Sequence, residues 1–144
     1  MTSQPVTPPD VELERDVCKL VHQLAQRLDV HVRRVGEQLG MTATQVIALR
    51  ELSEPITARE LANRMFCEPS NATFVLDRLE EQGLVERRPH PTDRRAKQIV
   101  LTPAGDRRRT EVLDHLRTQS PLGPLTEAQH ESLRDVLHTL DAQR

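Results

Sequence analysis

The stretch RPHPTDRRAKQIVLT, residues 88–102, concentrates positive charge in a chain whose formal net charge is −2. Arg87, Arg88, Arg94, Arg95 and Lys97 stand there against only Glu86 and Asp93, and two prolines, Pro89 and Pro91, bracket His90. Guanidinium and ammonium groups are phosphate ligands. They release the counterions condensed on DNA, and this depends on local cations rather than on a protein's net charge. A narrow loop tipped with arginines fits the minor groove and reads its width and negative potential. Asp93 is placed to fold back and orient an arginine. The plain alternative for such a run is a solvated face, so the elements that carry it decide the reading.

Those elements are a hairpin and two helices. Residues 84–88 and 97–102 are short apolar-rich runs that pair antiparallel around the basic loop. Before them, 57–65 and 69–83 read as helices joined by a tight turn. Pro69 suits a first helical turn and Gly83 a stop. With Ala72, Val75, Leu76 and Leu79 turned inward, the second helix presents Pro69, Ser70, Asn71, Thr73, Phe74, Asp77 and Arg78. A helix-turn-helix followed by a hairpin is a winged helix, whose second helix enters the major groove of double-stranded DNA. Serine, asparagine and threonine bond base edges or phosphates, and the Phe74 ring can touch a thymine methyl. Ser70 and Asn71 can instead merely cap or solvate the first turn. An exposed phenylalanine has no such alternative use, which favours readout.

The rest of the chain must support this unit. At 144 residues it is the size of one domain. Its only aromatics are Phe66 and Phe74, so the core is built from Leu, Val, Ile and Ala. Without Trp or Tyr it also lacks the stacking platform that single-stranded nucleic acids use. No apolar run approaches a membrane span, no signal-peptide stretch is present, and two cysteines make no disulfide framework. A cytoplasmic protein is expected.

Residues 1–9, MTSQPVTPP, read as a disordered arm ending at about residue 10. From Val11 the positions Val17, Leu20, Val21, Leu24, Leu28, His31 or Val32, Val35 and Leu39 make one long amphipathic helix. It is longer than a small core can cover, so part of its stripe is expected to meet another chain. Thr42 with Gln45, Thr57 with Glu60, and Thr126 with Gln129 each form a capping-box pattern opening a helix. Ile56 and Leu61 form a hydrophobic staple at the second. Further helices are expected over 103 to about 119 and over 126–142. The fold class is mainly α with a small β-hairpin wing. Its divisions are an arm (1–10), a dimerisation helix (11–40), a winged helix-turn-helix domain (41–102) and C-terminal dimerisation helices (103–144).

The stretch SNATFVLDRLEEQGLVERRPHPTDRRAKQIVLTPAG, residues 70–105, resembles the MarR family of bacterial winged-helix repressors. The likeness is strongest in Asp93-Arg94-Arg95 with Leu101-Thr102, and in LDRLEEQGLVER from Leu76 to Arg87. It implies a homodimer joined through the first and last two helices and bound to a palindromic operator. It also implies Arg94 or Arg95 in the minor groove with Asp93 as orienter, and Ser70, Asn71 and Thr73 as recognition-helix contacts; the charge run itself adds Arg88 and Lys97 to the wing's DNA contacts. Phe74 departs from the polar or basic residue that such proteins often carry there. Relatives that bind a small aromatic acid suggest a carboxylate gripped by Arg15 and His22, two turns apart on the first helix. The bland alternative is a surface arginine and a half-buried histidine.

One branch of the family senses peroxides through a first-helix cysteine, which here would be Cys18, four residues before His22. That branch uses tyrosines and this chain has none, so a buried structural Cys18 is expected, and Cys67 is read as a small core residue. The histidines show no zinc-ligand spacing, no cofactor is implied, and no nucleophile elbow or phosphate loop suggests an enzyme. The competing readings are a redox-sensing repressor using Cys18 and a helical interaction module without DNA binding, which the intact basic loop disfavours.

Overall fold

The computed structural model describes residues 10–142; the expected arm lies outside them except for Asp10, which belongs to the first helix as its cap. The elements in chain order are α1 (Val11–Leu39), α2 (Ala43–Glu51), β1 (Ile56–Thr57), α3 (Ala58–Met65), α4 (Pro69–Glu81), β2 (Val85–Pro89), β3 (Lys97–Leu101), α5 (Pro103–Arg117) and α6 (Glu127–Asp141). Each helix start has a local cause. Asp10 accepts the Glu12 amide, and complete capping boxes at Thr42 and Thr126 open α2 and α6. At Thr57 the box is only half made. Its hydroxyl accepts the Glu60 amide at 3.1 Å, but the Glu60 carboxylate takes the Thr57 hydroxyl rather than its amide. Thr57 is also a strand residue, opposite Gln98.

The expected two-stranded wing is one edge of a three-stranded antiparallel sheet in the order β1-β3-β2. Val85 pairs with Leu101 and Pro89 with Lys97, while Ile56 of β1 lies opposite Ile99. β1 is two residues long and shows no alternation, so only the staple role of Ile56 was readable in the sequence. Ile56 and Leu61 are both buried. The core gathers Val46, Leu49, Leu61, Leu76, Leu79, Val85 and Ile99 with Val35 of α1 and Val112 of α5. α1 joins it near its C-terminal end, burying His31, Val32, Val35 and Gly36 and packing Leu39 against it. The stripe N-terminal to these lies open: Leu20 is 62% exposed and Val21 52%. α6 buries no residue at all.

Helix ends are closed by arginines from other elements. Arg109 of α5 donates to the Leu49 and Arg50 carbonyls at 2.9 and 3.1 Å, Arg64 of α3 to Glu51 at 3.1 Å, and Arg108 to Leu39. Apart from Leu49, which also takes the Leu52 amide, these are carbonyls that the C-termini of α2 and α1 leave without a helical partner. A second joint is Thr102. Its hydroxyl donates to the Gly83 carbonyl at 2.6 Å and accepts the Gly105 amide at 3.0 Å, while its own amide donates to Leu84. The end of α4, the base of the wing and the start of α5 therefore meet at one side chain. Gly105 packs so closely there that an added Cβ would overlap the Leu84 carbonyl oxygen. Thr102→Ala is expected to lower unfolding free energy by about 1–2 kcal/mol, the cost of a lost cap and hydrogen bond. Urea unfolding checks this, and an unchanged midpoint at unchanged slope would dismiss the joint.

Candidate nucleic-acid interface

α4 begins at Pro69, whose fixed φ suits the first turn, and the Glu68 carbonyl takes the Asn71 and Ala72 amides. No side chain caps it, whereas α1, α2, α3, α5 and α6 are all capped by an Asp or Thr oxygen. Ser70 and Asn71 are not caps. Both are exposed, at the helix end whose partial positive charge favours anions. Thr73 is exposed too, and its hydroxyl donates to the Pro69 carbonyl at 3.0 Å. Its proton is thus occupied, so toward a base it acts as an acceptor or through its methyl group. Phe74 is 64% exposed, with the Arg78 guanidinium 5.5 Å from its ring centroid one turn on. This is cation–π distance, and it gathers Phe74 and Arg78 into one pair.

The inward face is as the spacing predicts, since Ala72, Val75, Leu76 and Leu79 are all buried. Phe66 is a residue the sequence reading gave no place. It is 81% exposed at the end of α3 with a left-handed φ of 53°, closing the turn before α4. Both aromatic residues of the chain therefore lie outside the core, on the helix-turn-helix.

In the wing the five basic residues divide into two kinds. Arg87 is not a free cation: it bonds Asp77 at 2.7 Å and Glu80 at 3.0 Å, both on α4. The Asp77 hydrogen bond, helped by the charges of Glu80 and Asp77, holds its guanidinium above the ordinary arginine range against the opposing effect of burial. Arg88 pairs with Glu86 at 3.0 Å in the open. Among the described residues no carboxylate pairs with Arg94, Arg95 or Lys97, and all three are exposed. Asp93 corrects the expectation of an oriented guanidinium. Its carboxylate accepts the Arg95 backbone amide at 3.0 Å, so it shapes the peptide and leaves the side chain free. His90 accepts the Thr92 and Asp93 amides at Nδ1, a part that bracketing prolines alone do not announce.

The first-helix candidates fall apart. Arg15, Cys18 and His22 are all exposed on the half of α1 that no other described residue buries. The buried Cys18 and half-buried His22 of the sequence reading are wrong for this chain, because apolar periodicity marks a face without saying what covers it. Cys67 is half-buried in the turn before α4 rather than a core residue. A cleft of about 580 Å³ opens farther along α1, where Arg27, Val30, His31 and Arg34 face Gln119 and Pro121. His31 reaches the Leu116 carbonyl from its Nε2 at 2.8 Å. Among the described residues no helix is long and apolar enough to cross a membrane.

The family model described as "MarR family" matches residues 41–97. The chain is 33% identical over 115 residues to the uncharacterized HTH-type transcriptional regulator YsmB of Bacillus subtilis, covering 78% of this chain and 75% of that protein. It is 32% identical over 104 residues to the HTH-type transcriptional repressor MdtR of the same organism, covering 71% and 67%. Among solved structures, a cysteine-to-serine variant of MarR from E. coli complexed with operator DNA matches with a TM-score of 0.69 at 26% identity, over 92% of this chain and 99% of that one. Sequence, fold and the disposition of helix and wing agree, and the chain belongs to the MarR family of winged helix-turn-helix transcriptional regulators.

Proposed function

We propose that the chain is a homodimeric repressor that grips a palindromic operator with α4 in the major groove and the β2–β3 wing in the adjacent minor groove. The observation that carries this is the Arg87 bridge. It fixes an uncapped, polar helix face and a loop of unpaired cations as one body. In this reading Ser70 and Asn71 serve phosphates and base edges at the N-terminus of α4, with Pro69 setting the turn. Thr73 and the Phe74–Arg78 pair face the groove floor. Arg94 and Arg95 enter the minor groove, and Arg88 and Lys97 meet its phosphate walls. The repressor name of MdtR and the operator complex of MarR support the assignment. DNA as partner sets the cytoplasm as the place of work.

Dimerisation is assigned to residues 11–40 and 103–144, leaving 41–102 to DNA. α1 leaves Val17, Leu20 and Val21 in water, and α6 leaves Val136, Leu137 and Leu140 there. Two apolar helix faces on one small chain are the surfaces that a second copy would bury, at roughly 25 cal/mol for each Å² removed from water. The full chain should run as a dimer in light scattering at micromolar concentration, and its selected operator should carry half-sites about 10 base pairs apart. Leu20→Glu combined with Leu137→Glu should yield monomers that lose the palindrome; a double variant still dimeric and tight-binding would refute this surface.

Contacts to groove and backbone separate by sign. Arg95→Ala should weaken binding to many sequences and flatten the dependence of log affinity on log salt by about one unit. Thr73→Ala should leave that slope alone and alter preference at one or two base pairs by about 1–3 kcal/mol. Titrations of both variants on the selected site and on random duplex over a salt series decide it. Identical slopes for wild type and Arg95→Ala would remove the wing from the interface.

A small aromatic acid is the releasing ligand in this reading, and the cleft on α1 favours a different grip from Arg15 and His22. Arg27 and Arg34 supply cations beside apolar Val30 and Pro121. Arg34→Ala should raise the concentration of benzoate-like acid needed for release about 10-fold, the worth of one charged hydrogen bond. Arg15→Ala should not. Release measured on operator-bound protein checks both, and the reverse pattern would return the site to Arg15.

A further inference from the structure

His90 follows directly on Pro89, the last residue of β2, and its imidazole is turned into the wing loop. Nδ1 accepts the Asp93 amide at 3.0 Å and the Thr92 amide at 3.2 Å, with the Thr92 hydroxyl 3.3 Å away. A backbone amide can only donate. Nδ1 must therefore carry a lone pair, and the proton of the neutral ring sits on Nε2. This is the work that an Asn or Asp side chain does in an Asx turn, accepting amides from residues just ahead of it. The next link is Asp93, whose carboxylate accepts the Arg95 amide at 3.0 Å. The His90 amide to Ala96 and the Ala96 amide to Asp93, both 3.2 Å, close the loop. Imidazole, carboxylate and peptide thus run in series to the residues at the tip.

We propose that His90 is a positioning residue of the wing, whose neutral imidazole holds Arg94 and Arg95 ready for the minor groove and whose protonation releases them. This rests on the wing's DNA-binding role. A proton on Nδ1 would face two amide N–H groups, so the turn must open, and the arginines would then be ordered at the expense of binding. The wing that carries His90 also carries Asp93, Arg94, Arg95, Lys97 and the Arg88–Glu86 pair, and across from it on α4 Asp77 and Glu80 are held by Arg87. The sign is diagnostic. A cation added to a loop on DNA raises affinity by counterion release, whereas loss of the turn lowers it. Binding that needs the neutral ring is strongest at high pH and weakens as the pH falls.

The experiment uses the full chain and an operator selected from random duplex, with affinity measured from about pH 8 to about pH 5.5 at fixed ionic strength, the range in which imidazole gains its proton. Far-UV circular dichroism confirms folding of each variant. His90→Asn keeps an acceptor and does not titrate. It should bind within about 2-fold of wild type at pH 8, while wild type loses about 3- to 10-fold more affinity than it over the interval, the worth of about one hydrogen bond. His90→Ala should already be weaker by a similar factor at pH 8. Nitrogen NMR of the free protein should show Nδ1 unprotonated and hydrogen-bonded at pH 8. Identical pH profiles for wild type and His90→Asn, or His90→Ala binding like wild type at pH 8, would overturn the proposal. If Arg95→Ala loses affinity while His90→Ala does not, His90 alone is wrong. If Arg95→Ala also binds unchanged, the wing reading itself fails and this inference with it.

Discussion

Two pieces of backbone can enter neighbouring grooves of one duplex only if the angle between them is held before DNA arrives. Here α4 and the wing are separate elements joined by Gln82, Gly83 and Leu84, and Arg87 braces one against the other. One guanidinium spans Asp77 and Glu80, one helical turn apart on α4, from a strand residue of the wing. An exposed ion pair contributes little to stability. The value of this one lies in registration, because a planar fork meeting two carboxylates fixes direction as well as distance. Thr102 secures the other side of the same corner by tying Gly83 to the start of α5. A loose corner would have to be ordered on binding, and that loss would appear directly in affinity.

Local concentration of charge follows from the same economy of side chains. Several arginines hold the fold instead of meeting solvent: Arg64 and Arg109 close the end of α2, Arg108 the end of α1, and Arg87 the α4–wing corner. Among the described residues of the wing, Arg94, Arg95 and Lys97 are left without a carboxylate partner. A net charge of −2 does not oppose binding to a polyanion where local cations stand clear of carboxylates. Asp93 shows the rule at closest range. It sits beside two arginines, yet its carboxylate is turned to a peptide amide.

How much of this was readable in the sequence depends on how local each cause is. Thr42 and Thr126 cap their helices with partners three residues away, so the sequence carried the whole interaction. The buried face of α4 was readable for the same reason, since four apolar residues at helical spacing define it. β1 was not, because two residues carry no period and their partner lies about 40 positions on, Ile56 opposite Ile99. Cys18 failed for a related reason: an apolar stripe on α1 announces burial, but among the described residues that half stays uncovered. Arg87 and Arg95 look alike in sequence. Only their carboxylate neighbours in space, Asp77 and Glu80 for one and none among the described residues for the other, separate the brace from the wing-tip cation.

The position of α5 connects the two ends of the molecule. Its N-cap, Thr102, sits at the base of the wing; near its other end the Leu116 carbonyl meets His31 of α1, beside the cleft. Between them Arg108 and Arg109 clamp it to the ends of α1 and α2, and Val112 is wholly buried. A helix of 15 residues spans about 22 Å and moves as a rod. A ligand in the cleft shifts DNA affinity only if it binds one placement of that rod more tightly than another. Because α5 is fastened to the α4–wing corner through Thr102, a tilt at the His31 end cannot be absorbed locally. It must either break the carbonyl clamps or turn the DNA-reading corner with it. In the proposed reading, a ligand in the cleft acts on DNA affinity through this rod, whereas one against α4 would compete with DNA for the same surface.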